Sequence, residues 1–460
     1  MSRAYLVSQL PKEKAKLLAK HLSVSPEEPE MSYFQQQASS VQRYSKKVIV
    51  EAFDAVEEGE DVKLYVPFSY AYHFLPESTV SLPPQPKFNF SFEGVLLPRQ
   101  KEIRDEIFET LNRSKSIVLC LHTGFGKTIF SLYLASKIGL RTMVLCHRTI
   151  IIDQWVAAVK KYLPKATVEV WNAKKKPFCL STAAVKEPKK IPDILIANVL
   201  NITKWSREDY ASYGLVLCDE VHTMCTEQFI KSLLWFTPQY IIGLSATPFR
   251  TDGMDKLIEL YMGPEVVSRK LQKVFNYYRL KTRFVPEVER TVDGGINWNS
   301  VLESQANSYE RNELICDLAR LFSTRNILIL VKRIDHANGL HSMLARYGED
   351  ADVFIGSTKE VNYSCRILVA TYSKGGVGFD HSKLDMLIVA ADVEESFLQY
   401  LGRVFRRDDV IPIVIDLIDD LSIMTKHAAT RKAVCEECGG TVHKFEKAFK
   451  DFETYRSLLH

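Results

Sequence analysis

Three short stretches hold residue types whose spacing suits chemistry on a nucleoside triphosphate. The first is Thr123-Gly124-Phe125-Gly126-Lys127-Thr128, which follows the apolar run Ile117-Val118-Leu119. A glycine-containing turn between a strand and a helix lets backbone N–H groups face a phosphate, and the helix N-terminus adds its positive end. In such a loop Lys127 reaches the β- and γ-phosphates and Thr128 offers its hydroxyl to Mg²⁺. Leu121 stands where the full G-x-x-x-x-G-K-[ST] pattern asks for its first glycine. The second stretch is Leu215–His222, "LVLCDEVH", in which an apolar strand ends on Asp219 and Glu220. Burying charge is costly, so two carboxylates there need a reason. Asp219 suits holding Mg²⁺, and Glu220 suits orienting and deprotonating an attacking water. The third is Gln399–Arg407, "QYLGRVFRR". Arg403 and Arg406, three apart, are expected on one helix face, where guanidinium groups stabilise a γ-phosphate in the transition state. Taken singly, a strand ending in solvated acids and a basic surface helix remain open readings; the series argues for the chemistry.

The elements that must position these residues follow from the apolar pattern. "SIVLCL", "TMVLCH", "DILIAN", "LVLCDE" and "YIIGLS" are short runs rich in Val, Ile and Leu, separated by helical patterns. "NILILVK", "ADVFIG", "RILVAT", "MLIVAA" and "IPIVIDL" repeat the style further along. Continuous rather than alternating apolar runs are buried parallel strands. The fold class is therefore α/β, two tandem units with parallel sheets, and ligands bind at the carboxyl ends of such strands. The expected division is 1–90 as a small α+β accessory domain, either an appended duplex-binding domain or a scaffold packed on the first unit, 91–265 as the first unit, 266–299 as a connector, 300–425 as the second unit and 426–460 as a C-terminal extension. In the first block a helix is expected near the N-terminus, and Tyr65, Phe68, Tyr70, Tyr72 and Phe74 are read as partly alternating along a half-buried strand.

Over roughly residues 92–410 the chain resembles the superfamily-2 helicases, whose two RecA-like lobes clamp ATP between them. The family's motif I commonly reads x-x-T-G-x-G-K-T, so Leu121 is ordinary there. Asp219-Glu220-Val221-His222 matches the D-E-x-H box, and Ser245-Ala246-Thr247 matches motif III. "TYSKGGVGFD", with Gly376 and Asp380, is similar to motif V, and "VLCHRTIIIDQW" to motif Ia. Gln399-x-x-Gly402-Arg403-x-x-Arg406 matches motif VI. "FEGVLLPRQ" resembles the adenine-reading element, with Gln100 in the base-reading place; Leu97 and Arg99 replace an arginine and an aromatic residue, and Phe92 is a candidate to stack on the base. The resemblance implies catalytic roles for Lys127, Asp219, Glu220, Gln399, Arg403 and Arg406. It implies nucleotide contacts from Gln100, Thr123, Gly124, Phe125, Gly126, Lys127, Thr128, Gly376 and Asp380, Mg²⁺ held by Thr128 and Asp219, and coupling through His222, Ser245 and Thr247. Arg250-x-Asp252 after motif III resembles the DNA-translocating branch that contains XPB and the phage UvsW helicase. The size and the N-terminal block are similar to helicases of large DNA viruses, the poxvirus transcript-release helicase among them.

In this superfamily one strand crosses the tops of both lobes, held by its phosphates. Arg148, Asn198, Lys332, Arg333, Thr371 and Lys374 follow apolar strands and are the expected contacts. Phosphate contacts are sequence-independent and salt-sensitive. The expected activity is ATP-dependent helicase or translocase action on DNA in preference to RNA, working on duplexes, branched DNA or transcription complexes. Transcription or replication machinery are the expected partners, and a monomer the expected state. An RNA helicase is the rival within the class. A non-catalytic clamp would be expected to lack Lys127, Glu220 or Arg406, and a metabolite kinase needs no second unit.

Composition bounds the rest. The net charge is +4, yet residues 141–190 are strongly basic and form a candidate phosphate-binding face. No apolar run is long enough to span a membrane, and the N-terminus lacks the apolar core of a signal peptide. Nine scattered cysteines point to a reducing, intracellular setting, viral by resemblance. Cys435-x-x-Cys438 resembles half of a zinc knuckle, with His443 and His427 as distant candidates. Structural zinc needs four ligands and no second C-x-x-C exists, so a reduced, unmetallated turn is the reading.

Overall fold

The structure is a computed structural model that describes every residue except 26–48, 79, 81–84, 86, 88–89, 173–190, 247–253, 357, 359–360, 376–380, 394–396 and 408. Thr247, Arg250, Asp252, Gly376 and Asp380 therefore lie outside the described residues. The chain divides into two compact units, Met1–Arg269 and Lys270–His460.

In unit 1, seven parallel strands stand in the order Val266–Arg269, Ser116–Leu121, Tyr240–Ser245, Leu215–Asp219, Thr142–Cys146, Ile194–Asn198, Val168–Val170. The five apolar runs read from the sequence are the five central strands. Their interiors are buried without alternation because helices cover both faces. Unit 2 repeats the plan with Ala351–Phe354, Ile367–Thr371, Ile327–Val331, Met386–Val389, Ile413–Ile418, Phe275–Lys281, Gly440–Lys444. Every pairing within these two sheets is parallel, so the loops at the carboxyl ends of each sheet gather on one edge of it.

Three expectations change. The stretch 266–299 is no free connector. Its first strand pairs with Ser116–Leu121 in unit 1, and Phe275–Lys281 sits inside the unit 2 sheet between Ile413–Ile418 and Gly440–Lys444. The stretch 426–460 is likewise built into unit 2, which takes one outer strand, most of the helix Ser422–Glu437 and the helix Phe452–Leu459 from it. Short polar-spaced strands such as "VVSR" and "GTVHK" carry too weak an apolar signal to be read before the sheet that recruits them is known.

The third change concerns the aromatic run in the first block. The strand Asp61–Pro67 ends at Pro67, and Phe68–Phe74 is a helix, so Phe68, Tyr70, Tyr72 and Phe74 lie on helical turns instead of a strand face. Proline fixes the helix start. This helix packs against Asp255–Met262 of the same unit, and Met1, Tyr5, Val66, Phe68 and Tyr70 share one core with Val216, Cys218 and Met262. The N-terminal strand Ser2–Leu6 is anchored to the rest of the unit, with Ser2 N–H donating to Phe236 O at 2.7 Å. Residues of the first block thus extend the core of unit 1.

Candidate functional site

The loop 122–126 joins the strand Ser116–Leu121 to the helix Lys127–Ile138. Gly124 and Gly126 have φ of 88° and 87°, left-handed values that glycine adopts without a Cβ clash. Lys127 opens the helix, and its Nζ donates to Leu121 O at 3.0 Å, so the ammonium lies back across the loop it closes. The loop is braced from the helix Pro98–Ser114. Arg99 Nη2 donates to Gly124 O at 2.8 Å, and Gln100 Nε2 donates to Phe125 O at 3.0 Å. Since the peptide group is planar and trans, holding Phe125 O on that side turns the Gly126 N–H to the other. A Cβ on Gly126 would lie 2.7 Å from Gln100 Nε2, so glycine is demanded by packing as well as by φ. The Phe125 side chain is only 1% exposed and packs edge-on against Phe130 and His122. Of Phe125, therefore, the backbone and not the side chain lines the loop. Thr123 and Thr128 are half-buried at the two ends of the turn.

The acid pair ends the strand two places away in the same sheet. Asp219 Oδ2 accepts a hydrogen bond from Trp155 Nε1 at 2.8 Å. Burial, and then the neighbouring Glu220, push the Asp219 carboxyl up to about 6, against the pull of the Trp155 N–H and Lys127. A carboxylate made unfavourable by its surroundings is what a divalent cation relieves, and hard oxygen donors from Thr128 and Asp219 suit Mg²⁺. Glu220 has φ 55°, a left-handed conformation that a residue with a side chain holds at a cost of about 1–2 kcal/mol. Its Oε2 is buried with no hydrogen-bond partner among the described residues and lies 3.7 Å from His222 Nδ1. A strained backbone that aims an unsatisfied carboxylate oxygen suits a base awaiting a water.

A hydrogen-bonded chain leads away from this pair along the strand ends. His222 Nδ1 meets Ser245 Oγ at 2.9 Å, joining the D-E-x-H box to the adjacent strand. Thr223 Oγ1 donates to Glu220 O at 2.7 Å and lies 3.3 Å from His147 Nδ1. His147 O accepts from Asn198 Nδ2 at 3.3 Å. Burial, followed by Arg148 and His222, pulls His147 down to about 4, so it is neutral at neutral pH. Thr223, and the parts played by Trp155 and Arg99, escaped the sequence reading. Their signal was adjacency to the motifs, Thr223 directly after the D-E-V-H box and Arg99 directly before Gln100.

The expected nucleic-acid contacts divide. Arg148 is exposed before the helix Thr149–Tyr162. Asn198 caps the following turn, its Oδ1 accepting from Leu200 N at 3.0 Å. In unit 2, Lys332 is exposed with its Nζ 5.4 Å from the Trp298 ring centroid. Arg333 instead makes a two-pronged bond to Asp335, Lys374 Nζ donates to Thr358 O at 3.0 Å, and Thr371 is buried beside Ser373. Gln399 and Arg403 share the helix Phe397–Val404, one turn apart. Arg406 lies beyond that helix, which corrects the expectation that both arginines stand on one helix face: the helix stops at Val404 and the chain leaves it before Arg406. Cys435 is buried on the helix Ser422–Glu437, His427 is paired with Asp392, and His443 bonds Asn276. Among the described residues no cluster of three or more metal-ligating side chains occurs. Likewise, no described helix is long and apolar enough to cross a membrane.

Two parallel α/β sheets, one of them carrying the glycine-lysine loop and the acid pair at the ends of strands two places apart, define a protein of the tandem RecA-like helicase class. Residues 93–250 match the family described as "Type III restriction enzyme, res subunit". Protein 161L of Invertebrate iridescent virus 6, named as a helicase, is 33% identical over 405 residues, covering 83% of this chain and 90% of that protein. A mimivirus protein, L396 of Acanthamoeba polyphaga mimivirus, named as an ATP-dependent RNA helicase, is 26% identical over 392 residues, covering 78% of this chain and 71% of that protein. The solved structure of S. cerevisiae Dbp5 bound to RNA and ADP BeF3 is alike in fold, with TM-score 0.50, 14% identity, and coverage of 79% of this chain and 98% of that one. The chain belongs to the superfamily-2 helicase family found in large DNA viruses.

Proposed function

We propose that the protein is an ATP-driven helicase or translocase acting on DNA, remodelling duplexes, branched DNA or transcription complexes. The observation that carries the catalytic half of this reading is Glu220, strained at φ 55° beside Asp219, its Oε2 without a hydrogen-bond donor among the described residues and 3.7 Å from His222 Nδ1, in the sheet that also carries the loop 122–126. Lys127 and the loop N–H groups bind the β- and γ-phosphates. Thr128 and Asp219 hold Mg²⁺, which supplies neutralisation of phosphate charge. Glu220 orients and deprotonates the attacking water. Gln399, Arg403 and Arg406 stabilise the charge that develops on the transferred phosphoryl group, with Gly376 and Asp380 as further nucleotide contacts. Arg148 and Lys332, both exposed after strand ends, grip nucleic-acid phosphates. Asn198 Nδ2 donates to His147 O and Arg333 bonds Asp335, so each steadies the loop of its exposed neighbour, whereas Thr371 and Lys374 are bonded to Ser373 and to Thr358 O.

The preference for DNA rests on the Arg250-x-Asp252 element and the branch it resembles. Action on RNA is the second reading, favoured by the name of the mimivirus relative. ATP hydrolysis measured with no polymer, single-stranded DNA, duplex DNA, branched DNA and RNA tests both, with Lys127→Ala as the blank. Stimulation by DNA that the variant lacks supports the proposal. Stimulation by RNA alone moves the protein to the second reading, and no hydrolysis with any polymer overturns the motor.

A further inference from the structure

We infer that the nucleotide site does not select its base, so that the protein uses nucleoside triphosphates of all four bases. This rests on the reading of the loop 122–126 as a nucleoside triphosphate site. A carboxamide reads adenine by accepting from N6 and donating to N7, which requires both ends of the amide to face the base. The amide of Gln100 faces the protein at both ends. Its Oε1 accepts from Leu97 N at 2.9 Å, and its Nε2 donates to Phe125 O at 3.0 Å and approaches Gly126 O at 3.4 Å. The orientation is determined by these partners, because the reverse would set a donor against the Leu97 N–H and an acceptor against two carbonyls. Gln100 is 2% exposed, which leaves no surface for a base edge.

Val95 and Leu97, 86% and 43% exposed, have no polar side-chain atoms. Arg99 is turned onto Gly124 O and lies with its guanidinium carbon 5.6 Å from the Phe125 ring centroid. Phe92 is stacked on Tyr162 with ring centroids 5.8 Å apart, and has Tyr133 edge-on at 5.5 Å. Any base packing on the rest of that ring does so by its π-face, which every base has. Gln100 is thus a positioning residue. It holds the Phe125 carbonyl, and through it the phosphate-facing side of the loop, whatever base is bound.

The test compares ATP, GTP, CTP and UTP in steady-state hydrolysis with the polymer that stimulates best, in the full chain and in Gln100→Ala. The expected kcat/KM values lie within about tenfold of one another, and the variant lowers all four by a common factor, because a loop support is lost rather than a base contact. Gln100→Glu, which keeps an acceptor for Leu97 N–H and loses the donor to Phe125 O, is expected to lower all four equally as well. An ATP preference above about a hundredfold overturns the inference, and so does a variant that loses ATP use selectively, since a site that hydrogen-bonds its substrate rejects analogues strongly. Displacement of a fluorescent nucleoside diphosphate by ADP, GDP, CDP and UDP gives the same comparison without turnover. Equal displacement supports the inference even if hydrolysis is absent. Displacement by ADP alone overturns it. Binding of no nucleotide overturns the reading of the site itself, and the inference falls with it.

Discussion

In unit 1 the strand Leu215–Asp219 runs into a carboxylate pair whose Glu220 Oε2 is buried without a hydrogen-bond partner among the described residues. In unit 2 the strand Ile413–Ile418 carries Asp416 along its length, and that carboxylate is gripped by Arg431 Nε at 3.0 Å and Tyr277 Oη at 2.5 Å. Arg431 also donates to Asp392 at 2.7 Å, and nearby Arg311 pairs with Asp419 at 2.9 Å. Both sheets therefore hold acids on a strand, at the strand end in unit 1 and within the strand in unit 2. The pairing tells them apart. Acids already matched by buried guanidinium groups anchor a fold, and here they tie the helix Ser422–Glu437 to the sheet. Glu220 sits on a left-handed backbone with His222 Nδ1 3.7 Å from its Oε2 and no hydrogen bond to that oxygen among the described residues. Motif lists treat strand-end acids alike, whereas hydrogen-bond accounting separates the two kinds.

The largest effect that would sharpen this comparison is on turnover. Glu220→Gln keeps the shape and removes the base, so polymer-stimulated ATP hydrolysis is expected to fall by about 10²–10⁴-fold. Nucleotide binding by displacement should stay near that of the parent; a variant that hydrolyses ATP normally would remove Glu220 from the mechanism. Next, Arg431→Met strands Asp416 and Asp392 as buried charges and is expected to destabilise unit 2 by about 3–5 kcal/mol. Chemical denaturation followed by circular dichroism should show the loss; an unchanged midpoint would break the contrast between the units.

A pH effect of intermediate size follows from His336, buried in unit 2 and bonded to Asn312 Oδ1 at 2.8 Å. Burial, and then Arg311, hold its pKa down at about 3. The unfolded chain binds a proton near pH 6.5 that the folded chain refuses, so stability is full above about 6.5 and declines as pH falls toward 3. Replacing His336 with Gln should flatten that decline in urea midpoints measured across the range. An unaltered pH dependence would show that other groups carry it. A smaller effect is expected at Trp155, whose N–H supports the Asp219 carboxylate. Trp155→Phe should raise the KM for Mg-ATP by about tenfold, the worth of one hydrogen bond to a charged group, with less change in kcat. The smallest is Glu220→Gly, which relieves the left-handed backbone. It should abolish turnover yet stabilise unit 1 by about 1 kcal/mol, read as a rise in its unfolding midpoint. A loss of stability would show that Glu220 is not strained.

Much of this architecture was legible in the chain. Ten apolar runs marked ten of the strands in the two large sheets, because strands buried on both faces cannot alternate. The glycine-lysine loop and the acid pair stand where the apolar pattern put them, the loop after the strand Ser116–Leu121 and the acids at the end of Leu215–Asp219. Less was legible where a residue's meaning depends on a distant neighbour. Phe68–Phe74 looked like a strand because its aromatics alternate, and only packing on Asp255–Met262 and the start at Pro67 make it a helix. The strands Val266–Arg269 and Gly440–Lys444 carry mixed side chains and become strands by joining existing edges.

The sequence by itself determined which residues are available for chemistry and the series of parallel strands that present them, because local residue type and apolar periodicity act over a few neighbouring positions. Tertiary structure alone decided what those residues are doing. It turned Gln100 inward onto the loop, brought Trp155 to Asp219 from 64 positions away, set Arg406 past the end of its helix, and bonded Asp416 to Arg431 while setting only His222 Nδ1, at 3.7 Å, against Glu220 Oε2 among the described residues. The physical reason is that a polar group's role is defined by the partner that satisfies it, and in a parallel sheet those partners come from strands and helices far away in the chain.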